Sequence, residues 1–163
     1  MRFVVDGMLG KLTRWLRMLG HDVEYSSKLD DAQLLTVARS EKRILLTRDL
    51  ELYQQATSKG IESFYLAGDS ESGRLAELKK RYDIRLEIDM VTSRCPKCNN
   101  QVQPVSKDEV ENLVKGNTSA NYTDFWRCPQ CGQVYWQGAH WTKIKKTLEA
   151  ARMISETPSS GKS

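Results

Sequence analysis

The stretch RILLTRDLEL, residues 43–52, decides how this chain folds. Ile44, Leu45 and Leu46 make a short uninterrupted apolar run, the pattern of a strand buried on both faces. The run stops at Thr47-Arg48-Asp49, and a polar helical pattern follows at once, reaching about residue 57 before Gly60. A strand that feeds directly into a helix is half of a βαβ unit. Asp49 thus stands where a strand ends and a helix begins. Two roles are open to it there: a helix cap, or a carboxylate offered to a cation.

Working outward from this stretch gives the same alternation. Residues 2–6 (RFVVD) read as a strand ending on Asp6, and Leu9, Leu12, Leu16 and Leu19 then recur at helical spacing up to Gly20. Val23-Glu24-Tyr25 is a short strand. Asp30 and Asp31 sit where caps belong, ahead of Leu34, Leu35 and Ala38. Ile61 to Leu66 is a further strand, Gly68-Asp69-Ser70 a turn and cap, and Leu75 and Leu78 lie on a helix ending near Tyr82. The class is α/β, a parallel sheet sandwiched by helices, over residues 1–92. Sites in such sheets lie beyond the carboxyl ends of the strands. Asp6 and Asp49 both stand there.

With 39% hydrophobic and 28% charged residues the chain is globular. No apolar run approaches the roughly 20 residues that span a bilayer. The opening MRFVVD is a strand rather than a secretory signal, so the expectation is a cytoplasmic protein without a membrane partner. The formal charge of +4 is unevenly placed: residues 1–90 carry 15 basic and 15 acidic side chains, residues 91–163 carry 10 and 6. This points to a polyanion partner for the C-terminal part. Four thiolates on one divalent ion would add about two negative charges there and halve the excess.

Cys95-Pro-Lys-Cys98 and Cys128-Pro-Gln-Cys131 are two CxxC pairs with 29 residues between them. Two such knuckles complete a tetrahedral sulfur site, and a zinc ribbon over residues 93–145 is the reading, with a rubredoxin-like iron site or a redox pair as the alternatives. Four protein ligands leave no open position, so the zinc is structural. Residues 146–163 are expected to be a basic helix end and a disordered tail, SETPSSGKS. Trp136, His140 and Trp141 lie close to Lys143, Lys145 and Lys146. They either stack on bases beside phosphate-binding lysines or make the ribbon's small core. On the first helix Lys11, Arg14 and Arg17 oppose the leucine stripe, as a solvated face or as a phosphate track.

Cleavage of phosphodiesters with metal assistance needs carboxylates converging on one or two hard cations, magnesium or manganese. Asp6, Asp31 and Asp49 could share one crevice of a parallel sheet; taken singly each also reads as a cap, Asp31 above all and Asp6 least, since Val4-Val5-Asp6 directs its carboxylate to the sheet edge with no local helix to cap.

VVDGMLGKLTRWLRMLGHDV, DDAQLLTVA, RILLTRDLEL, CPKCN and CPQCGQVYWQGAHW, taken together and in this order, resemble the PIN-like ribonuclease domains with a fused zinc ribbon. That family is named after the carboxy-terminal part of the Mut-seven exonuclease. The resemblance covers nearly all of residues 2–145. It implies a PIN-like sheet and a magnesium- or manganese-dependent RNase site acting on RNA, with Asp6, Asp31 and Asp49 in the aspartate positions. Asp30, Thr47 and Arg48 are candidates for additional members of the site. Thr47 would orient a ligand or water, and Arg48 would meet a phosphate. Larger PIN nucleases carry a further glutamate on a helix between the first two aspartates. This chain has no clear equivalent: Asp30 is nearest, and Glu24 and Glu41 are poor candidates.

Overall fold

The computed structural model describes residues 1–158. Its first half contains the expected strands as β1 (Arg2–Val5), β2 (Asp22–Tyr25), β3 (Ile44–Thr47) and β4 (Ser63–Tyr65). All pair in parallel, in the order β2-β1-β3-β4. Between and after them lie α1 (Gly10–Met18), α2 (Asp31–Ser40), α3 (Leu50–Ser58) and α4 (Glu71–Tyr82).

The continuous apolar strands are explained by two cores, one on each face of the sheet. Phe3, Val5 and Leu46 point into the first, against Leu12 and Leu16 of α1 and Leu75 and Leu78 of α4. Val4 and Leu45 point into the second, against Leu34 and Ala38 of α2 and Leu52 and Ala56 of α3. Alternate residues therefore serve opposite faces. The chain passes from β1 to β2 on one side, then crosses back to β3 on the other. The strand order reverses between β1 and β3, which makes the crevice above their carboxyl ends the switch point of the sheet.

The ribbon is a three-stranded antiparallel sheet of β5 (Gln103–Val105), β6 (Phe125–Arg127) and β7 (Val134–Tyr135). Two short helices, α5 (Lys107–Val110) and α6 (Gly116–Asn121), fill the connection between β5 and β6. Val110, Phe125 and Val134 form its small core, with Trp136 packed against them.

The C-terminal helix is longer than a basic helix end. The boundary placed between residues 145 and 146 falls inside α7 (Trp141–Glu156), a helix that packs on α4. Leu148 and Ala151 are buried in the first core beside α1 and α4, with Ile144 against them. The spacing 144, 148, 151 is one apolar helical face, and it returns the chain to the sheet domain after the ribbon. Ser155 and Glu156, the start of the expected tail, are helical. Residues 159–163 of that tail lie outside the described residues. None of the described helices is long and apolar enough to cross a membrane.

The ribbon's first knuckle is tied to the sheet domain by polar contacts. Arg17 donates to the Val23 carbonyl at 2.8 Å and to the Pro96 carbonyl at 2.9 Å. Asn99 accepts from the Val23 amide at 3.0 Å and donates to Asp22 at 2.8 Å. Since β2 is an edge strand, that amide would otherwise lack a partner in the sheet. Burial pushes the Asp22 carboxyl up, but Asn99 and Arg43 outweigh it and hold the pKa at about 2.

Candidate functional site

Parallel pairing brings Val5 beside Leu46, so the next residues, Asp6 and Thr47, leave the sheet side by side at the switch point. Thr47 is fully buried. Its hydroxyl donates to Asp6 Oδ2 at 2.8 Å and accepts from the Asp49 amide at 2.9 Å. The threonine that closes the apolar run thus fixes the Asp6 carboxylate and the backbone that carries Asp49. Asp49 caps α3, accepting through Oδ1 from the Glu51 and Leu52 amides at 3.0 and 3.2 Å. Its other carboxylate oxygen takes no part in the cap. Capping and ligation are compatible here, because each uses one oxygen.

The third aspartate reaches the same edge through the loop after β2. Gly7 allows this: a side-chain carbon there would lie 3.3 Å from the Ser27 backbone. Tyr25 adds a second tie, donating to the Gly7 carbonyl at 2.7 Å. Asp30, not Asp31, is the cap of α2. Asp30 accepts from the Gln33 amide at 2.8 Å, and Gln33 returns a bond to the Asp30 amide at 2.9 Å, a complete capping box. Asp31 is the first residue inside the helix and is exposed. Its pKa is raised, first by partial burial and then by the charges of Asp49, Asp6, Glu51 and Asp30. Asp31 therefore lies within the field of the other two aspartates.

Glu51 is a further carboxylate beside these aspartates that the sequence reading did not single out. It stands in the first turn of α3, two residues beyond Asp49, and its charge acts on Asp31. The signal lay in the deciding stretch itself, RDLEL, where a glutamate at that position reads as ordinary first-turn acid. Glu41 pairs with Arg43 at 2.7 Å at the opposite end of β3, away from the cluster. Arg48 turns towards β4, donating to the Leu66 carbonyl and to Asp69, both at 3.2 Å.

The basic face expected on α1 is only partly present. Lys11 and Arg14 are exposed, but Arg17 is buried and its guanidinium is committed to the Val23 and Pro96 carbonyls. This corrects its placement as a phosphate contact: the leucine stripe bends around α1 far enough to take Arg17 under the ribbon knuckle. Trp136 packs in the ribbon core, 6.2 Å from the Phe125 ring centre. Trp141 lies with Ile88 and Leu148 along a separate crevice beside α7, and His140 is exposed just before that helix. These aromatics do not join Lys11 and Arg14 in one surface.

The four cysteines do converge. All four sulfurs lie within 4.8 Å of one another, the only group of three or more potential ligands to do so among the described residues. Cys95 and Cys131 Sγ are 3.7 Å apart, close to the edge of about 3.8 Å for four sulfurs at about 2.3 Å from a zinc ion. Each knuckle turns on the residue after its second cysteine. Asn99 and Gly132 have φ of 73° and 80°, a left-handed conformation that asparagine and glycine accept most readily. Tyr135 Oη lies 3.0 Å from Cys95 Sγ. Burial, followed by the neighbouring Cys95, pushes the phenol pKa up.

A model of the family described as the Mut7-C RNAse domain matches residues 1–148. No curated protein matches the chain. No solved structure matches it either.

Proposed function

The chain belongs to the Mut7-C RNAse domain family, and from that premise we propose that it is a ribonuclease dependent on magnesium or manganese, hydrolysing RNA at the switch point between β1 and β3. The observation that carries this reading is the Thr47 hydroxyl, which holds Asp6 and the Asp49 backbone together where the sheet exposes its carboxyl edge. Asp6, Asp49 and Asp31 would hold the cation, and their hard carboxylate oxygens suit either ion. When bound, such an ion supplies a nucleophilic water at neutral pH and offsets charge on the leaving oxygen. The chain's own residues do the positioning. Thr47 fixes the orientation of Asp6, the α3 cap fixes Asp49, and the capping box of Asp30 leaves Asp31 free to face them. Lys11 and Arg14 would hold phosphates of the bound strand, with the ribbon assisting RNA binding. Zinc in the ribbon is structural, and reduced thiolate ligands fit a cytoplasmic location.

A second reading has one observation in its favour. The three aspartates do not bring their oxygens together as the cysteines do their sulfurs, which suits an RNA-binding module that has lost cleavage. Incubating the full chain with mixed RNAs and manganese, beside Asp6→Asn, separates the two. The nuclease reading expects cleavage by the parent and none by the variant, at equal RNA affinity. Equal cleavage by both would place any activity elsewhere and leave the binding module.

A further inference from the structure

Between α1, the start of α4 and the first cysteine knuckle runs a groove of about 810 Å³. Its lining includes Met8, two residues past Asp6, and Pro96 and Lys97 of the knuckle. Lys11 and Arg14 line its α1 wall. Two other cations of the groove have structural partners. Arg74 is paired with Glu71 at 2.9 Å, and Arg17 is taken up by backbone carbonyls. Lys97 is exposed and bonded only to the neutral amide oxygen of Gln133, at 3.1 Å. The groove's two carboxylates, Asp69 and Glu71, are paired with Arg48 and Arg74, so Lys11, Arg14 and Lys97 carry the positive charge available to a ligand. They are distributed along a concave channel rather than gathered on a dome.

We propose that this groove binds the sugar–phosphate backbone of single-stranded RNA, with Lys97 of the zinc knuckle, Lys11 and Arg14 as its phosphate contacts. This rests on the nuclease reading, which places the cut at the carboxylate edge. The charges line a groove between two helices, and a single strand can follow such a groove with its phosphates. A duplex is recognised by contacts spread across its wide minor groove and flanking phosphates, which a recessed channel cannot reach. The zinc site acquires a second role in this arrangement. By fixing the knuckle, it sets where Lys97 stands relative to α1.

The test uses the full zinc-loaded chain carrying Asp6→Asn, so that nothing is cut, and measures binding of a short oligouridylate against salt. A duplex of equal length is measured in parallel. Replacing Lys11, Arg14 and Lys97 together with alanine is expected to weaken oligouridylate binding at least about tenfold and to reduce the salt slope by about 2, since each single-strand phosphate contact contributes about 0.7. The duplex should bind more weakly than the single strand from the outset. Zinc content and the unfolding midpoint of the triple variant should match the parent. If zinc is lost, Lys11→Ala with Arg14→Ala alone should still reduce the slope by about 1.4. An unchanged affinity and slope, or a duplex that binds as tightly as the single strand, overturns the proposal. Failure of the nuclease reading would look different: no cleavage by the unsubstituted chain, with this binding intact.

Discussion

The four cysteines and the three aspartates are both candidate metal sites, and the chain builds them in opposite ways. The sulfurs come from two copies of one local motif, each turning on a left-handed residue after its second cysteine. The carboxylates come from three separate loops, and two of the three also work locally: Asp49 as a cap and Asp6 as the partner of Thr47. A thiol cluster serves as a closed structural centre, with every position filled by protein. A carboxylate cluster that is to act on a substrate must stay open, and the raised pKa of Asp31 comes first from partial burial and then from the charges of Asp49, Asp6, Glu51 and Asp30.

The sharpest way to break this contrast is to remove a sulfur. Cys128→Ser should abolish stoichiometric zinc and make residues 94–141 sensitive to protease, because binding free energies of about 10–16 kcal/mol in zinc-finger peptides are folding free energy. The sheet domain, with α7 still docked on α4, should resist digestion. Metal analysis and limited proteolysis read both effects. A variant that keeps its zinc, or stoichiometric iron in the parent, would remove the closed zinc site from the comparison.

Next in size is the return of the chain to the sheet domain. Leu148 is buried in the same core as Leu12 and Leu75, so Leu148→Ala should cost about 2–5 kcal/mol in denaturant unfolding. If residues 146–163 were a tail, the substitution would cost nothing measurable. The same packing means that deleting residues 94–163 removes core side chains as well as the ribbon, so a loss of RNA binding in that truncation would not isolate the ribbon's part.

These outcomes bear on what could be read from sequence. The parallel sheet and its two-sided cores followed from RFVVD and RILLTRDLEL, since apolar runs of that length between helical patterns admit little else, whereas the strand order came only from the structure. The cysteine site was legible because its spacing is local. The α7 docking was missed although Ile144, Leu148 and Ala151 share one helical face, because a basic helix after a ribbon looks solvated until its partner helix is known. Arg17 was misplaced for the same reason in reverse. Its side chain is ordinary surface chemistry until the knuckle's carbonyl arrives from 79 residues away. Glu51 and the division of labour between Asp30 and Asp31 depend on how three loops approach one another, which no spacing encodes.

The smallest expected effect on stability is the most telling about the open site. Asp30 and Asp31 are neighbours, yet only Asp30 closes the capping box. Asp30→Ala should cost about 1 kcal/mol and leave cleavage intact. Asp31→Asn should do the reverse, abolishing metal-dependent cleavage while shifting stability by less than about 1 kcal/mol. Its sign follows from linkage. Because the folded pKa of Asp31 is raised, the folded state binds more protons than the unfolded one just above the ordinary aspartate range. Stability therefore falls as pH rises through that window, and at neutral pH the ionised side chain is a small burden. An uncharged amide at this position lifts that burden, so Asp31→Asn should equal or slightly exceed the parent near neutrality and lose the advantage below about pH 4. Adding manganese should invert the order, since an ion that binds the folded state alone stabilises it and the variant lacks one ligand. Melting curves with and without manganese, at neutral and acidic pH, read all of this. A variant stabilised by manganese as much as the parent, and cutting as fast, would remove Asp31 from the site.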